Sequence, residues 1–271
     1  MSDAEQIEAV VAAIRSSRKY RTVAESTVRA LVEQAFPQHR KRKALDKAVR
    51  KRLHGIVADH LGDPDYETLG PALEAAVAAG DAERERSLCE EALGLHLSTR
   101  ERWPYLRDFY AAIFEQTGMP GVVLDLACAL GPVAMPWMGL PETTHYHAYD
   151  IHELRVRFLD GYLRARGQPG GAEVRDIVLD PPQQPADVAL LLKELHRLAR
   201  NYPAQIDGDW LAAIPARHLV VSLPAVSAHG GRRLVEPYRA MMGRFTEGRG
   251  FTTHELLFEH EIVFCIDTEP A

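Results

Sequence analysis

The sequence predicts an α/β fold: a mostly parallel, doubly wound sheet that closes on an antiparallel hairpin and is preceded by a helical segment. Three observations carry this. Up to about residue 95, apolar residues recur at helical spacing. After Pro120, short apolar runs alternate with amphipathic helices, the pattern of a parallel sheet. The last two runs, Thr252–Phe258 and Glu261–Asp267, have no helix between them. Composition agrees. The 271 residues are 46% hydrophobic and 26% charged, which suits a globular protein able to bury a core. No apolar run approaches the roughly 20 residues that cross a bilayer. The start, MSDAEQIEAV, is acidic and amphipathic, unlike a signal peptide. Cys89, Cys128 and Cys265 are odd in number and lack metal-ligand spacing. They predict no disulfide framework and no metal site, and point to the cytoplasm.

Ile7, Val10, Val11 and Ile14 mark the first helix. The second follows Thr22 and carries Val28, Leu31 and Val32. The third runs from about His39 to Leu61, with Leu45, Val49, Leu53 and Ile56 on its apolar stripe. Two more fit Glu67–Ala79 and Asp81–Gly94, and another begins at Ser98, where Glu101 completes the spacing of a capping box. These helices define a predicted first domain, 1–95, and a second, 96–271.

Net charge is −6, which by itself disfavours a polyanionic partner. The charge is unevenly spread. From Arg15 to His54 there are 13 Lys/Arg against three acids, and from Asp59 to Glu101 there are 11 acids against three arginines. Lys43, Lys47, Arg50, Lys51 and His54 fall on one face of the third helix, with Arg40, Lys41 and Arg42 just before it. With few compensating acids, this face is a candidate phosphate-binding surface as much as a solvated one.

The strands are predicted at Gly121–Cys128, His145–Asp150, Glu173–Ile177, Asp187–Leu192 and His218–Leu223. Helices are expected over His152–Gly167, about Asp209–Ile214 and Glu236–Glu247. The plan resembles that of class I, Rossmann-like methyltransferases. In such sheets ligands bind beyond the carboxyl ends of the strands. Asp125, Asp150 and Asp176 lie at or near the first three ends. Asp150 has the position of an acid that accepts from ribose hydroxyls, and Asp176 that of one beside an adenine edge. Three such acids in succession favour a nucleoside cofactor over simple helix capping. The first turn, Ala127 to Pro132, lacks G-x-G-x-x-G, although Gly131 lets the backbone approach a ligand. Arg100 and Arg102 read as first-turn cations, where they oppose the helix dipole. They could fork onto a cofactor carboxylate or pair with Asp108 or Glu101. Lys193, at the mouth of a buried strand, and the glycine-rich loop ending in Arg232 and Arg233 are further candidates.

Several segments together resemble the aminoglycoside-resistance 16S ribosomal RNA (guanine-N7) methyltransferases of the Arm and Rmt type. They are Lys19-Tyr20-Arg21-Thr22-Val23, His96-Leu-Ser-Thr-Arg-Glu-Arg102, Val123-Leu-Asp-Leu-Ala-Cys128 and Tyr149-Asp150-Ile151. Further on come Ala189-Leu-Leu-Leu-Lys193 and Val220-Val-Ser-Leu-Pro224, followed by Gly230-Gly231-Arg232. The resemblance spans about residues 15 to 267. It implies a monomeric enzyme whose helical segment docks on the 30S subunit and whose second domain binds S-adenosyl-L-methionine. Arg102, or Arg100, would hold the methionine carboxylate. Asp125, Ala127 and Gly131 would line the methionine site, with Leu192 nearby. Asp150 and Ile151 would take the ribose, and Asp176 and Ile177 the adenine. Lys193 and Arg232 would lie by the target guanine, and Arg233 with the basic face of the third helix would contact RNA. Methylating that guanine blocks aminoglycosides.

The chain departs from the family pattern near the implied target. Ala129 replaces a glycine, and Val226 a basic residue. The loop at His229 is one residue longer, and Arg233-Leu234-Val235 replaces Lys-Gly-Met. A methyltransferase acting on another RNA or a small molecule, and a non-catalytic RNA-binding relative, are the alternatives.

Overall fold

The computed structural model describes residues 2–57, 62–227, 231 and 233–269. Five helices come first: α1 (Asp3–Arg15), α2 (Glu25–Ala35), α3 (Arg42–Val57), α4 (Tyr66–Ala78) and α5 (Ala82–Leu95). α6 (Leu97–Arg102), a 3-10 turn at Trp103–Tyr105 and α7 (Leu106–Thr117) lead into β1 (Val122–Leu126). Then come α8 (Met135–Met138), β2 (His145–Asp150), α9 (Glu153–Ala165), β3 (Gly170–Val174) and β4 (Ala186–Leu192). The chain closes with α10 (Leu195–Asn201), α11 (Gly208–Ala212), β5 (Ala216–Pro224), α12 (Val235–Thr246), β6 (Thr252–Leu257) and β7 (Glu261–Asp267).

The strand order is β3-β2-β1-β4-β5-β7-β6. The first five strands run parallel, and β7 pairs antiparallel with both β5 and β6. The expected doubly wound sheet with a terminal hairpin is therefore present. Side chains alternate across it, as strand geometry requires. Leu124 and Leu126 enter the core shared with α1–α3, whereas Val123 enters the core shared with α4, α5, α7 and α9. The helices ahead of residue 96 are thus divided between the two faces.

The helix α3 is held by its carbonyl end. Buried Arg197 on α10 donates to Ile56 O at 2.7 Å, and Arg52 donates to Asn201 O. The stretch between α1 and α2 is bound directly to the sheet domain. Ala24 N–H donates to Ile151 O at 2.8 Å, and Glu153 N–H to Thr22 O at 2.8 Å. The first helical segment is therefore stitched to the backbone immediately after Asp150.

Several expected boundaries shift. β3 ends at Val174, so Asp176 lies in the loop beyond the strand rather than within it. The capping box at Ser98 does not form: the N-cap of α6 falls two residues earlier, at His96, and Ser98 Oγ bonds His96 Nδ1 at 2.9 Å. Arg100 and Arg102 consequently stand in the last turn of α6, where cations favour the dipole. They therefore do not oppose the dipole, as the expected first-turn position would require. The expected end of the third helix at Leu61 lies outside the described residues.

Gly170 opens β3 with φ +104°, and a Cβ there would stand 2.2 Å from the Tyr146 carbonyl oxygen. Gly170→Ala is expected to cost at least about 2 kcal/mol from strain and backbone displacement, read as a lowered urea midpoint with an unchanged m-value.

Candidate active site

A cleft of about 1030 Å³, counted with its opening to solvent, lies beyond the carboxyl ends of β1 and β2. Ala127, Asp150, Ile151, Asp176 and Ile177, all expected from the sequence near a cofactor, line it. Lys19, Val23, Ile56 and Val57, from α3 and the α1–α2 connection, form part of its wall. So do Asp63, His152, Arg155, Arg175, Glu194, Leu198 and Tyr202. The helical segment and the sheet domain thus build one cleft.

Asp150 ends β2 and is fixed by three donors. Its Oδ2 accepts from Ala129 N–H and from Arg155 Nη1, each at 3.0 Å, and its Oδ1 from His152 N–H at 2.8 Å. Ala127 and Ala129 hold left-handed backbone at φ 52° and 47°. For an L-residue this costs about 1–2 kcal/mol. The glycine common to the resembled family at 129 would avoid that cost. The turn's strain brings the Ala129 N–H onto Asp150.

Arg155 was not singled out in the sequence. It faces inward from α9 and also donates to Asp63 Oδ1 at 2.7 Å and to Tyr66 Oη at 3.1 Å. His152 caps α9: its Nδ1 accepts from Arg155 N–H at 3.1 Å, and its Nε2 lies 2.9 Å from Thr22 Oγ1. Burial and the neighbouring Arg155 push its pKa down, so the imidazole stays neutral and suits that acceptor role.

Asp176 receives Thr27 Oγ1 from α2 at 2.9 Å, Tyr202 Oη at 3.5 Å, and the Val178 and Leu179 N–H groups. Burial raises its pKa against these bonds. Its acceptor capacity is largely used, so it positions the loop more than it reads a base edge. The Ile177 N–H, by contrast, has no hydrogen-bond partner among the described residues.

Arg100, Arg102, Asp125, Gly131, Leu192 and Lys193 are not among the described residues lining the cleft. Arg100 is exposed on α6, and Leu192 packs against the core at the end of β4. Asp125 is buried and accepts from Tyr146 Oη at 2.7 Å. Burial raises its pKa to about 7, opposed by that hydrogen bond and by Arg102. Gly131 is needed for a different reason than ligand approach: a Cβ would stand 2.6 Å from Asp125 Oδ2.

Arg102 is also buried. Its Nε and Nη2 donate to Glu261 at 3.0 and 2.6 Å, and its guanidinium lies over Phe109. The fork expected for a cofactor carboxylate is closed on Glu261, and neither Asp108 nor Glu101 is its partner. Lys193 is 7% exposed; its Nζ donates to Glu101 at 2.7 Å and lies 3.6 Å from Glu261. It does not reach solvent freely. Arg232 lies outside the described residues, as does His229. Arg233 is exposed at the foot of that loop, in an isolated bridge with Val226.

On the basic helix, Lys41, Arg42, Lys43, Lys47 and Lys51 are exposed and unpaired among the described residues. Arg50 turns inward instead. It pairs with Asp46 at 2.9 Å, donates to Ala13 O and Ser17, and lies over the Tyr20 ring. Arg40 pairs with Asp3 at 2.7 Å and covers Phe36.

A seven-stranded sheet of this order, with acids at or near the ends of its first three strands, defines the chain as a Rossmann-like enzyme of the class I methyltransferase type. The ribosomal RNA methyltransferase (FmrO) family model matches residues 15–265. The 16S rRNA (guanine(1405)-N(7))-methyltransferase of Frankia casuarinae is 35% identical over 270 residues, 98% of this chain and 95% of that one. That of Micromonospora echinospora is 40% identical over 194 residues, 70% and 71% of the two chains. The crystal structure of the 16S rRNA methyltransferase RmtF with S-adenosyl-L-homocysteine matches with TM-score 0.82 at 31% identity, covering 98% of this chain and 99% of that one. The chain belongs to the FmrO ribosomal RNA methyltransferase family.

Asp125 titrates near 7 in the fold against an ordinary 3.8, so folding favours its protonated form. That contribution is full below pH 3.8 and lost as pH rises through 7. Asp125→Asn escapes the loss. Its stability relative to the parent is expected to rise between pH 4 and 7 in urea titrations, whereas a constant difference would place the charge elsewhere.

Proposed function

We propose that this chain transfers the methyl group of S-adenosyl-L-methionine to N7 of guanine 1405 of 16S rRNA, the nucleotide its curated relatives are named for, and thereby confers aminoglycoside resistance. The substrate in this reading is the assembled 30S subunit, met by a cytoplasmic monomer. The observation that carries it is the shared wall of the cleft: the basic helical segment and the strand ends that bear Ala127 and Asp150 line the same cavity.

The residues present fit the cofactor at its nucleoside end. Asp150 offers a carboxylate oxygen for ribose, the Ile177 N–H, without a partner among the described residues, suits a ring nitrogen of adenine, and Ala127, Ile151, Leu198 and Tyr202 supply apolar wall. When bound, the cofactor supplies a methyl group on a sulfonium. N7 of guanine carries an in-plane lone pair and no proton, so the protein needs no general base there. Its task is to hold N7 in line and to accommodate positive charge arriving on the base. In this reading Arg233, exposed at the foot of its loop, contacts the RNA around a target that leaves its stack to be reached. The helices before residue 96 dock in this reading, and the part after it carries the methyl transfer, with the cleft wall shared between them.

Radiolabelled methyl transfer to purified 30S subunits, with the product located by reverse transcription, tests the reading. Label at N7 of guanine 1405 is expected; label elsewhere, or none, refutes it. Lys43, Lys47 and Lys51 face outward together on α3. Reversing all three to glutamate is expected to weaken 30S binding by at least about tenfold and flatten its salt dependence by about three phosphate contacts. Affinity for S-adenosyl-L-homocysteine should stay unchanged.

A further inference from the structure

Asp150 has little acceptor capacity left. Its Oδ2 takes two donors, Ala129 N–H and Arg155 Nη1, and its Oδ1 takes His152 N–H. A carboxylate offers about four acceptor positions, so one remains. A ribose presents two hydroxyls.

A second carboxylate faces the same cleft. Asp63 lies between α3 and α4, and its side chain is 27% exposed. Its Oδ1 accepts from Arg155 Nη2 and Tyr66 Oη, both at 2.7 Å. Its Oδ2 has no hydrogen bond among the described residues; the His152 Nε2 lies 3.7 Å away. Arg155 therefore holds one acid with each terminal nitrogen. Burial alone would raise the pKa of Asp63, but the charge and hydrogen bonds of Arg155, with the Tyr66 hydroxyl, keep it below the ordinary value.

We propose that Asp63 is a second nucleoside-binding acid, its Oδ2 accepting one ribose hydroxyl while Asp150 Oδ1 accepts the other. Arg155 is the positioning residue that sets the two carboxylates side by side. This rests on the S-adenosyl-L-methionine reading above. It makes the cofactor site a joint product of the segment after the docking helix and the end of β2.

The test is calorimetric titration, without RNA, of S-adenosyl-L-homocysteine and its 2′-deoxy and 3′-deoxy analogues. The parent protein is expected to lose about ten- to one-hundred-fold in affinity with either analogue, the range for a hydrogen bond to a charged group. Asp63→Asn should weaken the parent ligand by a similar factor and abolish the penalty for one analogue only. Both penalties persisting in D63N would overturn the proposal. No binding of S-adenosyl-L-homocysteine by the parent protein would instead remove the cofactor reading beneath it. Should D63N unfold, Asp63→Glu keeps the charge beside Arg155 and displaces the acceptor, and the same loss of one penalty is expected.

Discussion

Carboxylates buried at the carboxyl edge of the sheet must be neutralised, and Arg102 and Arg155 are placed to do so. A charge buried without a partner costs several kcal/mol, more than any single packing contact returns. Glu261 is fully buried, and Asp150 nearly so. Each is met by an arginine that is itself buried. The pairs join distant parts of the chain. Arg102 lies 159 residues before Glu261, and Arg155 lies 92 residues after Asp63. One pair therefore locks α6 to the closing strand. The other locks the segment after α3 to the end of β2. Cleft walls from distant parts of the chain are held in register by Arg155.

That same constraint explains what sequence could and could not reveal. The local pattern placed β2 and β7 to the residue: β2 alternates only over its first half, and β7 is a short apolar run buried almost throughout, both legible from consecutive positions. Asp150 was visible as the acid ending such a run. Glu261 was not, because its role depends on a residue far away, and at the start of a predicted strand it reads as a solvated end. Arg155 was hidden for a related reason. On an amphipathic helix a cation is assigned to the wet face, and only the cleft reveals that it points inward. Arg50 gives the converse: it sits on the basic stripe by spacing, but Asp46 one turn back and the Ala13 carbonyl draw it in. α10 is seven residues long, too short for periodicity to mark.

Backbone strain concentrates at the same edge. Ala127, Ala129 and Lys193 all adopt positive φ, at the ends of β1 and β4. Their amide groups show what the strain achieves at two of them. Ala129 N–H reaches Asp150, and Lys193 N–H reaches the Ser222 carbonyl oxygen at 2.9 Å and its hydroxyl at 3.0 Å. A hydrogen bond to a buried carboxylate is of the same order as the strain of about 1–2 kcal/mol. The departure at Ala129 is therefore a local cost that leaves the turn's geometry intact. Val226 is different in kind. It sits at the foot of its loop, bridged to Arg233, so the missing positive charge lies beside one that is present.

The net charge of −6 conceals a basic segment, yet the segment's surface is less basic than its composition. Arg15, Arg29, Arg40 and Arg50 are paired with Glu153, Glu8, Asp3 and Asp46, and Arg52 donates to Gln34 and Asn201. Lys41, Lys43, Lys47 and Lys51 are left outside. The division follows from the groups themselves. A guanidinium presents a planar fork that satisfies carboxylates and carbonyls inside a fold, whereas an ammonium is a strongly hydrated point charge on a flexible stem. Arginines here hold the helices together, and lysines, with Arg18, Arg21 and Arg42, face solvent. A phosphate surface built mainly of hydrated lysines attracts through counterion release rather than shaped contacts. In the proposed reading, target selection then comes from the cleft rather than from this helix.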